Sequence, residues 1–191
     1  MLNSSSLVWA SGFALLLVCL QFLPVEAHRK LWYVRDAVAG GEYWRLLSGN
    51  LVHLGWRHLA LNVGALLLGI WVFYPARSPV AWIFAQLVCS VSSSLGLFLF
   101  SPGVPWCVGM SGALHGLLII GALDWIRQGD RAGWILLVVW SAKLGWEQFN
   151  GAMSLSTETI GAPVITDAHL WGAVGGLLFA GIEAAVRKLR G

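Results

Sequence analysis

The sequence is short of charge and of cysteine. Only 11% of its 191 residues are Asp, Glu, Lys or Arg, under half of the ~25% that a typical soluble domain carries. That shortage, beside 12 tryptophans and 23 glycines, also excludes an intrinsically disordered chain, which needs low hydrophobicity and high charge. The three cysteines, Cys19, Cys89 and Cys107, are too few and too scattered for a disulfide framework or a paired-cysteine zinc site. There is no low-complexity tract, no internal repeat and no HExxH element. A net charge of +3 and a pI near 9.0 would suit nucleic acid. The basic residues, however, are spread along segments between apolar runs rather than gathered in a patch, so nucleic acid is excluded as a partner.

What is abundant is apolar. Hydrophobic residues make up 58% of the chain and the mean hydropathy is +0.73. A helix that crosses hydrocarbon needs ~20 mainly apolar residues, because the bilayer offers its backbone no other partner. Six runs approach that length, at 7–23, 54–74, 80–100, 108–126, 132–149 and 165–186. The expectation is an all-α membrane protein, a single domain over residues 1–191 built as a bundle of six transmembrane helices. The first run has a rival reading as a removable signal peptide, with Val25-Glu26-Ala27 as the cleavage site. No basic residue precedes it and it is long for such a segment, which favours a retained helix. With both ends inside, six Lys/Arg face the cytoplasm and five face outward, which favours that orientation by a narrow margin. Two outer segments, Pro24–His53 and Asn150–Val164, exceed what a connection needs, as functional loops often do.

Strongly polar side chains inside such runs are candidate functional residues. Ser111 follows Pro102-Gly103-Val104-Pro105, a stretch that cannot be regular helix, so a helix is expected to start beside it. Helix starts carry open N–H groups and a positive dipole end, which favour a developing oxyanion; capping alone would also explain a serine there. A serine nucleophile needs a base. His115 shares its helical face four residues on, and His169 lies in the sixth run. The small-residue pairs Gly112/Gly116 and Gly172/Gly176 would let the fourth and sixth helices approach closely and bring His169 toward Ser111. His58 and Asn62 share a face at the start of the second run, as oxyanion donors or as a clamp between helices. Lys143 and Glu147, also four apart, read as a pair that neutralises itself. No carboxylate falls at ligand spacing with His53 and His58, and Asp167 points away from His169 on a helix, so neither metal nor cofactor is expected.

Together these elements resemble the rhomboid family of intramembrane serine proteases. Tyr43-Trp44-Arg45 is similar to the Trp-Arg element of the family's first outer loop. His53, His58 and Asn62 match its histidine, histidine, asparagine spacing. Gly109-Met110-Ser111-Gly112 matches GxSG, and Ala168-His169 with Gly172 and Gly176 matches AHxxGxxxG. The resemblance implies Ser111 as nucleophile and His169 as general base, a dyad with no third carboxylate. It also implies an oxyanion site from His58, Asn62, Gly109 and the Ser111 amide, with His53 and His115 as support. The cavity would open to the periplasm of a bacterial inner membrane, capped around residues 150–164.

His115 stands where the family usually has tyrosine. With Trp106-Cys107-Val108-Gly109 ahead of the serine, this looks like the rhombosortase branch. That branch implies membrane-anchored protein substrates bearing a C-terminal Gly-Gly motif and a membrane helix, with water or an amine as acyl acceptor. Two alternatives stay open: a general rhomboid protease acting on single-span proteins, and a non-catalytic rhomboid-like binder.

Overall fold

The computed structural model describes residues 4–73, 77–152, 157–158 and 160–190. Helices α1 (Ser4–Gln21), α5 (Trp56–Phe73), α6 (Pro79–Phe100), α7 (Ser111–Arg127), α8 (Ala132–Asn150) and α9 (Thr166–Arg190) follow the six apolar runs. Tyr74, at the end of the second run, lies outside the described residues, as do 153–156 and 159 of the second outer segment. Local signals set several ends. Ser78 caps α6 by accepting from Ala81 N–H, with Pro79 at its first turn, where a missing N–H is harmless. Asp130 accepts from Ala132 N–H at the start of α8.

Helices α5, α6 and α9 are each long and apolar enough to cross a membrane by themselves. α7 is shorter, at 17 residues, because residues 101–110 form a non-helical stretch before it begins. α8 carries Lys143 and Glu147 in its second half. Leu68, Trp71, Phe84, Ile135, Val138 and Leu178 are all exposed on the outer faces. A soluble monomer rarely shows so much contiguous apolar surface; the chain is a multi-pass membrane protein.

α9 packs along both α6 and α7, and α7 supplies the centre of the main core through Ala113, Leu117 and Ile120. Ala10 and Leu17 of α1 are fully buried in that same core. At the end of the bundle away from Ser111, buried Arg77 makes a two-pronged ion pair with Asp124, at 2.5 and 2.9 Å, and reaches Glu183 at 2.6 Å. This ties the α5–α6 connection to α7 and α9.

The expectation of a purely helical fold needs one correction. The segment after α1 is folded, as α2 (Val25–Lys30), β1 (Tyr33–Val34), α3 (Arg35–Ala39) and α4 (Arg45–Ser48). β1 pairs antiparallel with β2 (Trp106–Cys107), Tyr33 opposite Cys107. Two arginines hold this layer. Arg35 donates to the carbonyls of Leu97, Phe98, Ser101 and Val104, closing the C-terminal end of α6. Arg45 is buried, bonded to Glu42 and to the Trp32 carbonyl. Its neighbour Trp44, the other half of the Trp-Arg element, is exposed.

Candidate active site

The chain reaches Ser111 through a tightly held turn. β2 fixes Trp106 and Cys107 against β1. Gly109 then takes φ 102°, a conformation that costs glycine little, and its N–H donates to the Gly49 carbonyl at 2.9 Å. Met110 precedes α7 and offers no side-chain acceptor, so the first-turn amides of α7 remain open beside Ser111. The expectation that Gly109 stabilises an oxyanion is corrected by that bond. Its N–H is already committed, and it contributes shape: a side chain there would collide with the His58 ring.

The glycine pairs meet as their spacing suggested. Gly112 and Gly116 face the carbonyls of Ala168 and Gly172, while Gly172 and Gly176 face those of Gly112 and Gly116. α6 supports the crossing with Ser93 Oγ donating to the Ala168 carbonyl and Ser92 Oγ to the Trp171 carbonyl. Between those two anchored carbonyls sits His169, and its Nε2 lies 3.1 Å from Ser111 Oγ. Residues 58 positions apart are thereby in hydrogen-bonding contact.

His58 and Asn62 line the same cavity, about 330 Å³ in volume, together with Ser111, His115 and His169. Leu54 N–H donates to His58 Nδ1 at 3.4 Å, which leaves the proton on Nε2 as a donor. Asn62 gives one amide hydrogen to the His58 carbonyl at 2.9 Å and keeps a second. His53 is not at the serine. It is fully buried behind His58, ring centroids 5.0 Å apart, with neither ring nitrogen hydrogen-bonded among the described residues. Burial, then the neighbouring His58 and His28, push its pKa down to about 3.

His115 does not face the serine hydroxyl. Its Nδ1 lies 2.7 Å from the Ser111 carbonyl, its Nε2 2.6 Å from Lys143 Nζ, and its ring is stacked on His169. Glu147 is the residue whose position spacing alone missed. Besides its ion pair with Lys143 at 2.7 Å, it places Oε2 2.9 Å from His169 Nδ1. The dyad without a carboxylate is corrected accordingly: a buried carboxylate meets the far side of the imidazole. His115, Glu147 and His169 hold donor atoms within 4.8 Å of one another, a grouping that linear spacing hid. The Lys143 ammonium already bonds two of the three, so the cluster's charge is balanced by an amine. Cys107 also lines the cavity, but burial pushes its thiol up to about 12, which leaves it a poor nucleophile.

The arrangement can therefore take a proton from a hydroxyl, offer hydrogen bonds to a nearby oxyanion, and do so within a multi-pass helical membrane protein. The comparisons agree with that class. Residues 40–185 match the Rhomboid domain family, and the chain belongs to it. Rhomboid-like protease 5 of Toxoplasma gondii is 32% identical over 142 residues, 73% of this chain and 16% of that protein. The rhomboid protease GluP of Bacillus subtilis is 29% identical over 153 residues, 75% of this chain and 26% of its own length. YdcA of the same bacterium is 25% identical over 177 residues, 83% of this chain and 79% of YdcA. The chain thus spans well under a third of the first two relatives.

Proposed function

We propose that this protein is an intramembrane serine endopeptidase acting on membrane-anchored protein substrates. The observation that carries the reading is the 3.1 Å contact between Ser111 Oγ and His169 Nε2 at a cavity inside an apolar bundle. Ser111 Oγ attacks the scissile carbonyl as its proton passes to His169 Nε2. The open Ser111 amide, the His58 Nε2–H and the free Asn62 amide hydrogen receive the negative charge on the carbonyl oxygen. The C–N bond breaks as Nε2 returns the proton to the departing amine, leaving an ester on Ser111. A water molecule, deprotonated by the same nitrogen, releases the acid and restores the hydroxyl.

The finer reading is a rhombosortase-type enzyme of a bacterial inner membrane, its cavity open to the periplasm. Its substrates are exported proteins whose C-terminal anchor carries a Gly-Gly motif and a membrane helix. Support comes from His115 in place of the family's tyrosine and from Trp106-Cys107-Val108-Gly109 before the serine. The test is co-expression with two reporters, one ending in a Gly-Gly anchor and one with an ordinary single span, alongside fluorophosphonate labelling. Ser111→Ala and His169→Ala should abolish cleavage and labelling. Processing of the Gly-Gly reporter alone supports the finer reading, whereas cleavage of both supports a general rhomboid protease. Cleavage by the Ser111→Ala variant at the wild-type rate would overturn the serine mechanism.

A further inference from the structure

We propose that Glu147 is a positioning residue that fixes the tautomer and orientation of His169, and that Lys143 and His115 hold Glu147 in place, so that the working unit is Ser111–His169–Glu147. This rests on the protease reading above for its catalytic consequence. The hydrogen bonds on which it stands form one unbroken chain with a single self-consistent set of donors. Lys143 Nζ can only donate, and its two acceptors are Glu147 Oε1 at 2.7 Å and His115 Nε2 at 2.6 Å. His115 must then carry its proton on Nδ1, where the Ser111 carbonyl waits at 2.7 Å. Glu147 Oε2, an acceptor, faces His169 Nδ1 at 2.9 Å. That places the His169 proton on Nδ1 and leaves Nε2 as a lone pair directed at Ser111 Oγ at 3.1 Å, which is the tautomer a general base requires.

Each link also limits motion. Glu147 is 4% exposed, and both of its carboxylate oxygens are engaged. The His169 ring is stacked face to face on His115, so rotation about its own axis would lose the carboxylate bond and the stack together. The carboxylate accepts no proton in the cycle. It opposes the positive charge that His169 carries between taking the Ser111 proton and returning it to the leaving amine. Lys143 pairs with Glu147 in a region where an unpaired carboxylate is costly.

The test uses the purified protein in detergent, with wild type, Ser111→Ala, Glu147→Gln and Glu147→Asp. Two readouts are recorded: the fluorophosphonate labelling rate, with kcat and KM on a cleavable membrane-anchored substrate, and the proton resonance of the His169 Nδ1–H. Glu147→Gln should lower kcat and labelling at least about a hundredfold, since a misassigned imidazole tautomer has large effects in serine enzymes. KM should stay within about twofold and the resonance should vanish. Glu147→Asp should recover part of both signals, a rescue that a packing role would not produce; Ser111→Ala should keep the resonance. Wild-type labelling and an unchanged resonance in Glu147→Gln overturn the proposal. Loss of Ser111-dependent labelling in wild type, with the resonance still governed by Glu147, overturns the protease reading instead.

Discussion

The imidazoles of His115 and His169 lie one over the other, ring centroids 4.0 Å apart and planes 11° from parallel. Both nitrogens of the upper ring are spoken for, one by the Ser111 carbonyl and one by Lys143. His115 therefore acts as a flat support and has no free nitrogen with which to take the serine proton.

Replacing that ring separates support from chemistry. A stacked aromatic pair contributes about 0.5–1.5 kcal/mol beyond its burial, so His115→Ala should lower kcat by about two- to twelvefold. His115→Phe, which keeps the stack but not the bond to Lys143, should restore part of the loss. Steady-state kinetics on a membrane-anchored reporter would check this, and a loss above about a thousandfold would identify His115 as the base.

Asn62 tests the oxyanion side. Asn62→Ala removes a donor that faces the cavity while its other hydrogen serves the His58 carbonyl. Loss of one such donor costs about 10²–10³ in kcat. KM should change little, because the bond is made to the transition state and not to the ground state.

The close crossing of α7 and α9 predicts opposite effects from two alanines on one helix. A methyl on Gly172 would occupy space already taken by the Gly112 carbonyl, and backbone cannot move aside cheaply. Gly172→Ala should destabilise by about 1–3 kcal/mol and, by parting the helices, abolish Ser111 labelling. Gly181 has nothing within 4 Å of that position, so Gly181→Ala should leave activity intact and stabilise by up to about 1 kcal/mol. Thermal unfolding in detergent, followed by labelling of the folded fraction, distinguishes the two.

These contrasts mark how much of the molecule was legible in the sequence. Hydropathy located the helical runs within a few residues, since the apolar demand of a bilayer is strong and local. The glycine spacing anticipated the α7–α9 contact, and with it the meeting of Ser111 and His169. What stayed hidden depends on partners distant in sequence. The layer between α1 and α5 is held by Arg35 bonded to carbonyls 62–69 positions away, which no periodicity encodes. Glu147 reads as half of an i, i+4 pair with Lys143; its second bond, to a histidine 22 residues on, exists only once α8 and α9 are side by side. The resemblance put Gly109 in the oxyanion site, and only the fold shows that its N–H is taken by the Gly49 carbonyl.

Arg77 predicts a stability effect independent of catalysis. It bonds Asp124 with both prongs and reaches Glu183, with Arg77 and Asp124 side chains only 4% and 8% exposed. Removing one partner of a buried pair costs up to about 3–5 kcal/mol; here Asp124 keeps Arg127 at 2.9 Å and Glu183 keeps Arg187 at 3.2 Å, so the loss falls at or below the lower end of that range. Arg77→Met should lower the unfolding midpoint accordingly, and Arg77→Met with Asp124→Leu should regain much of it. Labelling of Ser111 per folded molecule should be unchanged in both.

His53 predicts how stability responds to acid. Its pKa in the folded protein is pushed down to about 3, mainly by burial and then by the charges His58 and His28 would carry, from an ordinary value of 6.5. Below the ordinary value the unfolded chain binds a proton at this site while the folded protein does not, so falling pH favours unfolding. The stability this neutral histidine contributes is complete above pH 6.5 and is lost progressively as pH drops toward 3. The unfolding midpoint of wild type should therefore fall between pH 7 and pH 5, and His53→Gln, which has no titration in that window, should show a shallower decline. Equal slopes for the two proteins would mean that His53 takes up its proton as readily in the folded state as in the unfolded chain.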